Sequence, residues 1–494
     1  MASSWPDDGE RARGLTEQQL SRRGFLGWSA AAVGALALPR SAAARLGSAG
    51  VERGYATFLT QPFRIPTLAV STLESTSPGL IFVATLNGPG QRGPMIVDNQ
   101  GRPVWFRPVK GFAINFRTQV YRGKPVLTWW EGEATKIGTS EGVNVILDQR
   151  YRKVAQVDAG NGYRADVHEF VLTPKGTALL TVHAETPADL TSVGGPPNGN
   201  VLDSIVQEIE VATGNVLFEW HSLDHVPLTE TYAPVLDPFD YFHVNSIAVD
   251  VDGNLVISAR NTSAVYKLNR QTGEVIWRLG GRRSDFAFDP GAGFFYQHDA
   301  RPQPDGSLTL FDDGTGQPSY PARGLALRLD VPNRRCSLIR AFPHPTPLVV
   351  NSMGNAQLLP GGGMMVGFGD QPYLTEFGPD GTVHLDAKFT GGGWNYRAFR
   401  DPWVGRPQTL PTVAVRRSGR DAVVYASWNG STETAYWRVR AGRTVATLES
   451  ARVVPRAGFE TSIRLHGVPR VLTVTALDRK RNALATSKIV RPFV

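Results

Sequence analysis

Along most of this chain, short runs alternate apolar and polar residues at every second position, and Gly, Asn, Asp and Pro interrupt them. That period predicts β-strands joined by tight turns, because successive strand side chains point to opposite faces. One unit is an apolar stretch, a turn and an aromatic-rich stretch. It occurs as "PMIVDNQGRPVWFRPV" (94–109), "VNVILDQRYRKVAQV" (143–157) and "VQEIEVATGNVLFEWHS" (206–222). It recurs as "VYKLNRQTGEVIWRLGG" (265–281), "ALRLDVPNRRCSLIRAF" (326–342) and "LTEFGPDGTVHLDAKF" (374–389). A second kind of hairpin lies between these, clearest in "HEFVLTPKGTALLTVH", "NSIAVDVDGNLVISAR", "HDARPQPDGSLTLFDD" and "NAQLLPGGGMMVGFGD". Two hairpins make four strands, and about six such units predict an all-β chain folded as a six-bladed β-propeller. A sandwich, or several small all-β domains, is the competing reading.

The pattern changes near residue 405. "AVVYASWNGSTETAYWRVRAG" and "SIRLHGVPRVLTVTALD" alternate strongly and are spaced like a small β-sandwich of the fibronectin or immunoglobulin type. The expected division is a propeller over 45–405 and a sandwich over 406–494, with Pro407 and Pro411 near the boundary. The second module carries few groups suited to chemistry and reads as structural or as an interaction surface.

Composition changes this picture little. Hydrophobic residues make up 41% and charged residues 19% of 494, an ordinary globular balance; 52 Gly and 35 Pro suit many turns. The net charge of +8 favours anionic partners, but no Lys/Arg stripe is interleaved with aromatics, so nucleic acid is not expected. The single cysteine, Cys336, excludes an intrachain disulfide.

Residues 1–44 read as a targeting segment. Ser21-Arg22-Arg23-Gly24-Phe25-Leu26 is a twin-arginine export pattern, followed by an apolar stretch to Leu38 and small residues at Ser41–Ala44. The stretch is well short of the ~20 residues a spanning helix needs. The expectation is bacterial export in a folded state, to the cell envelope or outside, with no stable membrane span after cleavage.

Aligning the second-type hairpins on Gly176, Gly253, Gly306 and Gly363 needs no gap. Eight positions earlier stand His168, Asn245, His298 and Asn355; seven positions later stand His183, Arg260, Asp313 and Asp370. These should oppose one another in pairs across each hairpin. His243, two residues before Asn245, should share its face. Polar strand ends are common, yet three repeats contributing His beside Arg260 point to a site at one end of a central channel. No short metal-ligand spacing occurs, so no metal or cofactor is expected; His168, His243 and His298 meeting in space would be the one route to an ion.

"HVNSIAVDVDGNLVISARNTSAVYKLNRQTGEVIWRLGG", "QHDARPQPDGSLTLFDDG" and "GNAQLLPGGGMMVGFG" resemble the arylsulfate sulfotransferase family over roughly residues 60–400. The resemblance implies a propeller enzyme that moves a sulfuryl group from a phenolic sulfate ester to a phenolic acceptor through a histidine nucleophile. It implies catalytic roles for His243, in the H-x-N motif, and His298, in the Q-H-[DT] motif. The aligned hairpins add His168, Asn245, Arg260 and Asn355 as expected substrate contacts. Two departures mark a divergent, actinobacterial-type member. Tyr373 stands near the position where the family's nucleophilic histidine is expected, and only Arg323 is near the place of the arginine after F-D-N-G. Tyr373 or His298 would then accept the group. The alternative is a non-catalytic envelope propeller that binds a glycan, lipid or protein.

Overall fold

The computed structural model describes residues 53–134, 140–315 and 321–492. The twin-arginine segment lies outside the described residues. Over those residues the chain is all-β, with a few short helices, and no helix is long and apolar enough to cross a membrane.

From residue 80 to 401 the strands form a series of four- and five-stranded sheets, each a meander in chain order. The first contains Leu80–Thr85, Gly93–Val97 and Pro103–Phe106, and Phe399–Asp401 returns to pair with Leu80–Thr85. The second runs from Phe112–Tyr121 to Lys153–Val157, and the third from Phe170–Leu172 to Val216–His221. The fourth spans Val244–Val249 to Val275–Gly280. The fifth spans His298–Pro302 to Arg335–Pro343, with Ala287–Phe288 added in parallel. The sixth spans Asn355–Leu358 to Val383–Phe389 and takes Leu68–Leu73 as its outer strand. This architecture is compatible with a propeller.

Strand alternation decides how these sheets pack. In Leu80–Thr85, Phe82 and Ala84 join a core shared with the second sheet, through Phe116, Trp129 and Leu127. Ile81 and Val83 point the other way, to Met365, Leu374 and Leu385 of the sixth sheet. The second and third sheets share Ile146, Val182 and Ile205; the third and fourth share Leu179, Val206 and Ile257. The fourth and fifth share Val256, Leu279 and Leu310; the fifth and sixth share Phe311, Met364 and Val366. Each sheet therefore buries both faces, and inner strands such as Gly93–Val97 and Leu255–Ala259 are buried at every position. At about 25 cal/mol per Å² of apolar surface, these interfaces supply the main stabilising term.

Side-chain amides fasten the first strands to one another. Asn355 donates to the Ala398 carbonyl and accepts from the Ala398 N–H, both at 2.8 Å. Gln357 does the same with Arg400, and Gln119 with Phe170 and Leu172. The clamps satisfy main-chain groups where no strand partner is available.

Beyond residue 405 lie a three-stranded sheet, Thr412–Ser418, Asp421–Ser427 and Glu460–Leu465, and a four-stranded one centred on Tyr436–Gly442 and Val471–Leu477. Val424, Ala426 and Ile463 of one meet Trp437, Val439 and Val474 of the other. This pair docks on the first sheet: Asn429 caps Phe106 at both its N–H and its carbonyl, at 3.0 and 2.9 Å.

Candidate functional site

The first strands do not begin as regular strands. His243, Asp299, Met353 and Asn115 all sit at positive φ, between 57° and 70°, at or near the start of their strands. A left-handed residue at a strand end makes a bulge and redirects the side chains around it. It also breaks the period-two rule on which the expected opposed pairs rest. Asn245 falls in a register shift and faces no partner; Val244 pairs with Ala259, and Ser246 with Ser258. Arg260 lies opposite His243 instead, its N–H donating to the His243 carbonyl at 2.9 Å. His298 pairs with Phe311 and Asn355 with Gly367, rather than with Asp313 and Asp370.

The turned strand ends bring imidazoles together. The ring of His243 lies 4.7 Å from that of His168 and 5.4 Å from that of His183, and His168 and His183 are 5.3 Å apart. His183 is 6% exposed and His243 8%. Carboxylates hold this group. Asp166 Oδ2 lies 2.5 Å from His168 Nδ1, and its Oδ1 lies 3.3 Å from His183 Nδ1. Asp240 Oδ2 lies 2.5 Å from His243 Nδ1. Burial dominates at His243 and outweighs Asp240, pulling its pKa down to about 4, so the ring is neutral at neutral pH. At His183 burial also opposes charge, but Asp166 overcomes it and the pKa rises. Burial would raise Asp166, yet His168 and His183 hold its carboxyl well below the usual range.

His298 stands on the neighbouring first strand, 1% exposed. Its Nδ1 lies 3.1 Å from Asp313 Oδ1, and its Nε2 accepts the Met353 N–H at 3.2 Å. That N–H requires a lone pair on Nε2 and so puts the ring proton on Nδ1, facing Asp313. Burial, then the charges of Arg260, His243 and His168, push its pKa well down. Arg260 lies with its guanidinium 4.5 Å above the Tyr296 ring, donates to Asn261 Oδ1 and the Asn351 carbonyl, and leaves Nε unbonded.

The remaining expected site residues are placed differently. Asn245 is buried and donates to the Gln297 carbonyl at 2.8 Å, beside His298 but as an inter-sheet tie. Asn355 is fully buried and clamps Ala398 with both its Nδ2 and its Oδ1, as an inter-sheet tie. Tyr373 begins the third strand of its sheet; its ring lies 4.4 Å from His344, with Lys388 over it, and contacts none of the clustered histidines. Arg323 pairs with Asp312 at 3.1 Å and donates to the Gly293 carbonyl. The sequence reading left Asp166, Asp240 and Tyr396 out of the site. The spacings Asp166-x-His168 and Asp240-x-x-His243 carry the signal for the first two. Nothing local marks Tyr396, whose ring lies 5.8 Å from His168.

Beneath the imidazoles lies a buried ionic floor. Glu169 accepts from Arg117, Arg301 and Arg397, and Asp299 pairs with Arg301 and Arg397. Three guanidiniums against two carboxylates leave this floor net positive. Arg397 reaches up to the Asn245 carbonyl at 2.7 Å, so the floor is joined to the His243 strand.

A family model described as arylsulfotransferase (ASST) matches residues 117–390, which contain every imidazole above. No curated protein matches significantly. Among solved structures, a protein of unknown function from Bacteroides caccae is 13% identical, over 65% of this chain and 98% of its own, with a TM-score of 0.40. A Lactobacillus plantarum protein is 12% identical, over 78% and 99%, with a TM-score of 0.35. A catalytically inactive virginiamycin B lyase from Staphylococcus aureus is 8% identical, over 74% and 97%, with a TM-score of 0.32.

Proposed function

We propose, from the premise that this chain belongs to the arylsulfotransferase (ASST) family, that it transfers a sulfuryl group from a phenolic sulfate ester to a phenolic acceptor. The observation that carries this reading is the gathering of His168, His183, His243 and His298 with Arg260, three of the rings hydrogen-bonded through Nδ1 to a carboxylate. The six sheets are then the six blades of one propeller, closed by Phe399–Asp401. The paired sheets after residue 405 are a C-terminal sandwich. The Ser21–Leu26 pattern would export the folded chain to the envelope or beyond.

His298 is the proposed nucleophile. A neutral imidazole is required, and burial keeps this one neutral. Once released from the Met353 N–H, its Nε2 lone pair forms a bond to sulfur as the S–O bond to the aryl oxygen breaks, and a phenolate leaves. Asp313 Oδ1, whose carboxyl burial pushes well above the usual pKa range, accepts from Nδ1 and so steadies the ring as it takes on positive charge. The acceptor phenol then attacks sulfur, the S–N bond breaks, and the acceptor's proton is lost to solvent. Arg260 supplies a fixed cation beside the sulfuryl oxygens. The wall of His168, His183 and His243 meets the phenolic oxygen. Tyr373, remote from the cluster, takes no part.

The test is incubation of the purified protein with a chromogenic aryl sulfate and a phenol acceptor. Phenol release is expected from the wild type and not from His298→Ala. Release no greater than that of a His243→Ala, His298→Ala double variant would refute the reading and leave a binding propeller.

A further inference from the structure

We propose that His183, His243 and Asp240, completed by His168, bind one divalent first-row transition-metal ion. The proposal stands on the donor atoms and does not need the sulfuryl-transfer reading.

Ligand atoms of His183, Asp240 and His243 can be chosen within 4.8 Å of one another, and all three residues are buried. The same holds for Asp166, His168 and His183, so His183 belongs to both groups. Within the first group some of the candidate ligand atoms are unused. His183 Nδ1 faces Asp166 at 3.3 Å, but its Nε2 makes no hydrogen bond, and Asp240 Oδ1 makes none either. The His183 side chain is fully buried. Buried polar atoms are nearly always satisfied, so these two residues call for a further partner. A cation that accepts lone pairs from both supplies it. An imidazole nitrogen and a carboxylate oxygen can both bind the same metal ion, and further imidazoles stand beside them.

The surroundings fit a metal as well. Asp166 on His168 Nδ1 is a carboxylate that fixes that ring's tautomer and leaves its Nε2 as the ligand, while His243 offers Nδ1, the atom 2.5 Å from Asp240, to the same ion as Asp240. Packing three imidazoles within 5.4 Å of one another at a buried strand end is explained if they converge on one ion. Imidazole and carboxylate donors select zinc, iron, cobalt or nickel over calcium and magnesium, which prefer all-oxygen sites. Three or four protein ligands leave room for an anionic oxygen at the ion.

The full-length protein, stripped with chelator and dialysed, is titrated with Co²⁺ while visible absorption is followed. The expected result is a d–d band that saturates at one equivalent and is displaced by Zn²⁺. His183→Gln should lose the band or weaken binding at least tenfold, with the metal-free far- and near-ultraviolet circular dichroism unchanged. Histidine ¹⁵N spectra of the wild type provide the second measurement, independent of any variant's folding: Zn²⁺ should shift three imidazole resonances together. No saturable binding by the wild type, or binding that His183→Gln leaves intact, overturns the proposal. Metal binding without aryl-sulfate turnover would support the metal site while refuting the sulfuryl reading.

Discussion

The rings of His168 and His243 stand 4.7 Å apart at 79° to one another, each with its Nδ1 against its own carboxylate. They come from neighbouring sheets, so their approach reports how those sheets are fastened as well as what the strand ends can do.

Asp240→Asn tests the carboxylate's hold on His243. An amide can donate as well as accept, so it no longer dictates the proton position on the ring. Loss of a carboxylate behind a working histidine costs roughly 10- to 100-fold in activity or metal affinity. The expected outcome is that loss in kcat/KM for an aryl sulfate. An unchanged rate would show that His243 needs no orientation.

Arg260→Lys tests planar recognition of the sulfuryl oxygens. Lysine keeps the charge but loses the flat guanidinium that rests on Tyr296 and bonds Asn261 and Asn351 together. A charge-assisted hydrogen bond is worth about 1.5–3 kcal/mol, or roughly tenfold to a hundredfold. Initial-rate kinetics should show kcat/KM falling by that factor. Retention of wild-type kinetics would place Arg260 outside the site.

Asn355→Ala tests the clamp. It orphans the buried N–H and carbonyl of Ala398, at about 1–3 kcal/mol each. Gly367→Ala should act in the same place: its Cβ would lie 2.5 Å from Asn355 Oδ1 and 2.9 Å from the Ala398 nitrogen. Both variants should unfold at lower denaturant concentration, while KM of the remaining folded enzyme stays put. A raised KM with unchanged stability would return Asn355 to a substrate role.

Asp401 sets a pH dependence of stability. Burial raises its pKa to about 6, against hydrogen bonds from Thr118 and Gln357 and the charge of Arg117. A carboxyl with a raised folded pKa is bound to its proton more tightly in the native state, so its ionisation costs stability as pH rises. That cost is absent below the unfolded pKa near 4, grows between about pH 4 and 6, and is constant above. Asp401→Asn removes it. Denaturation at pH 4 and pH 7.5 should show the variant gaining about 1–3 kcal/mol relative to wild type only at the higher pH. An equal effect at both would assign the change to packing.

The sequence by itself determined the strands, their meander and the repeat, because period-two alternation and turn residues are local signals that every sheet repeats. His168, His243 and His298 were visible for the same reason: they fall at equivalent places in aligned hairpins. Register at the strand starts was not visible. A residue at positive φ, as at His243, Asp299 and Met353, is held there by packing and hydrogen bonds from neighbouring sheets. Once it turns, counting by twos fails, which is why Arg260 faces His243 rather than Asn245. Tertiary structure also decided which polar groups are spent. Asn355 and Asn245 look the same as the histidines in the alignment, but both are buried and donate to carbonyls of neighbouring segments, Ala398 and Gln297. Tyr373 lies one strand pair too far out to meet the cluster. The joining of Asp166 and Asp240 to three imidazoles depends on separate sheets converging, and only the folded chain brings those sheets together.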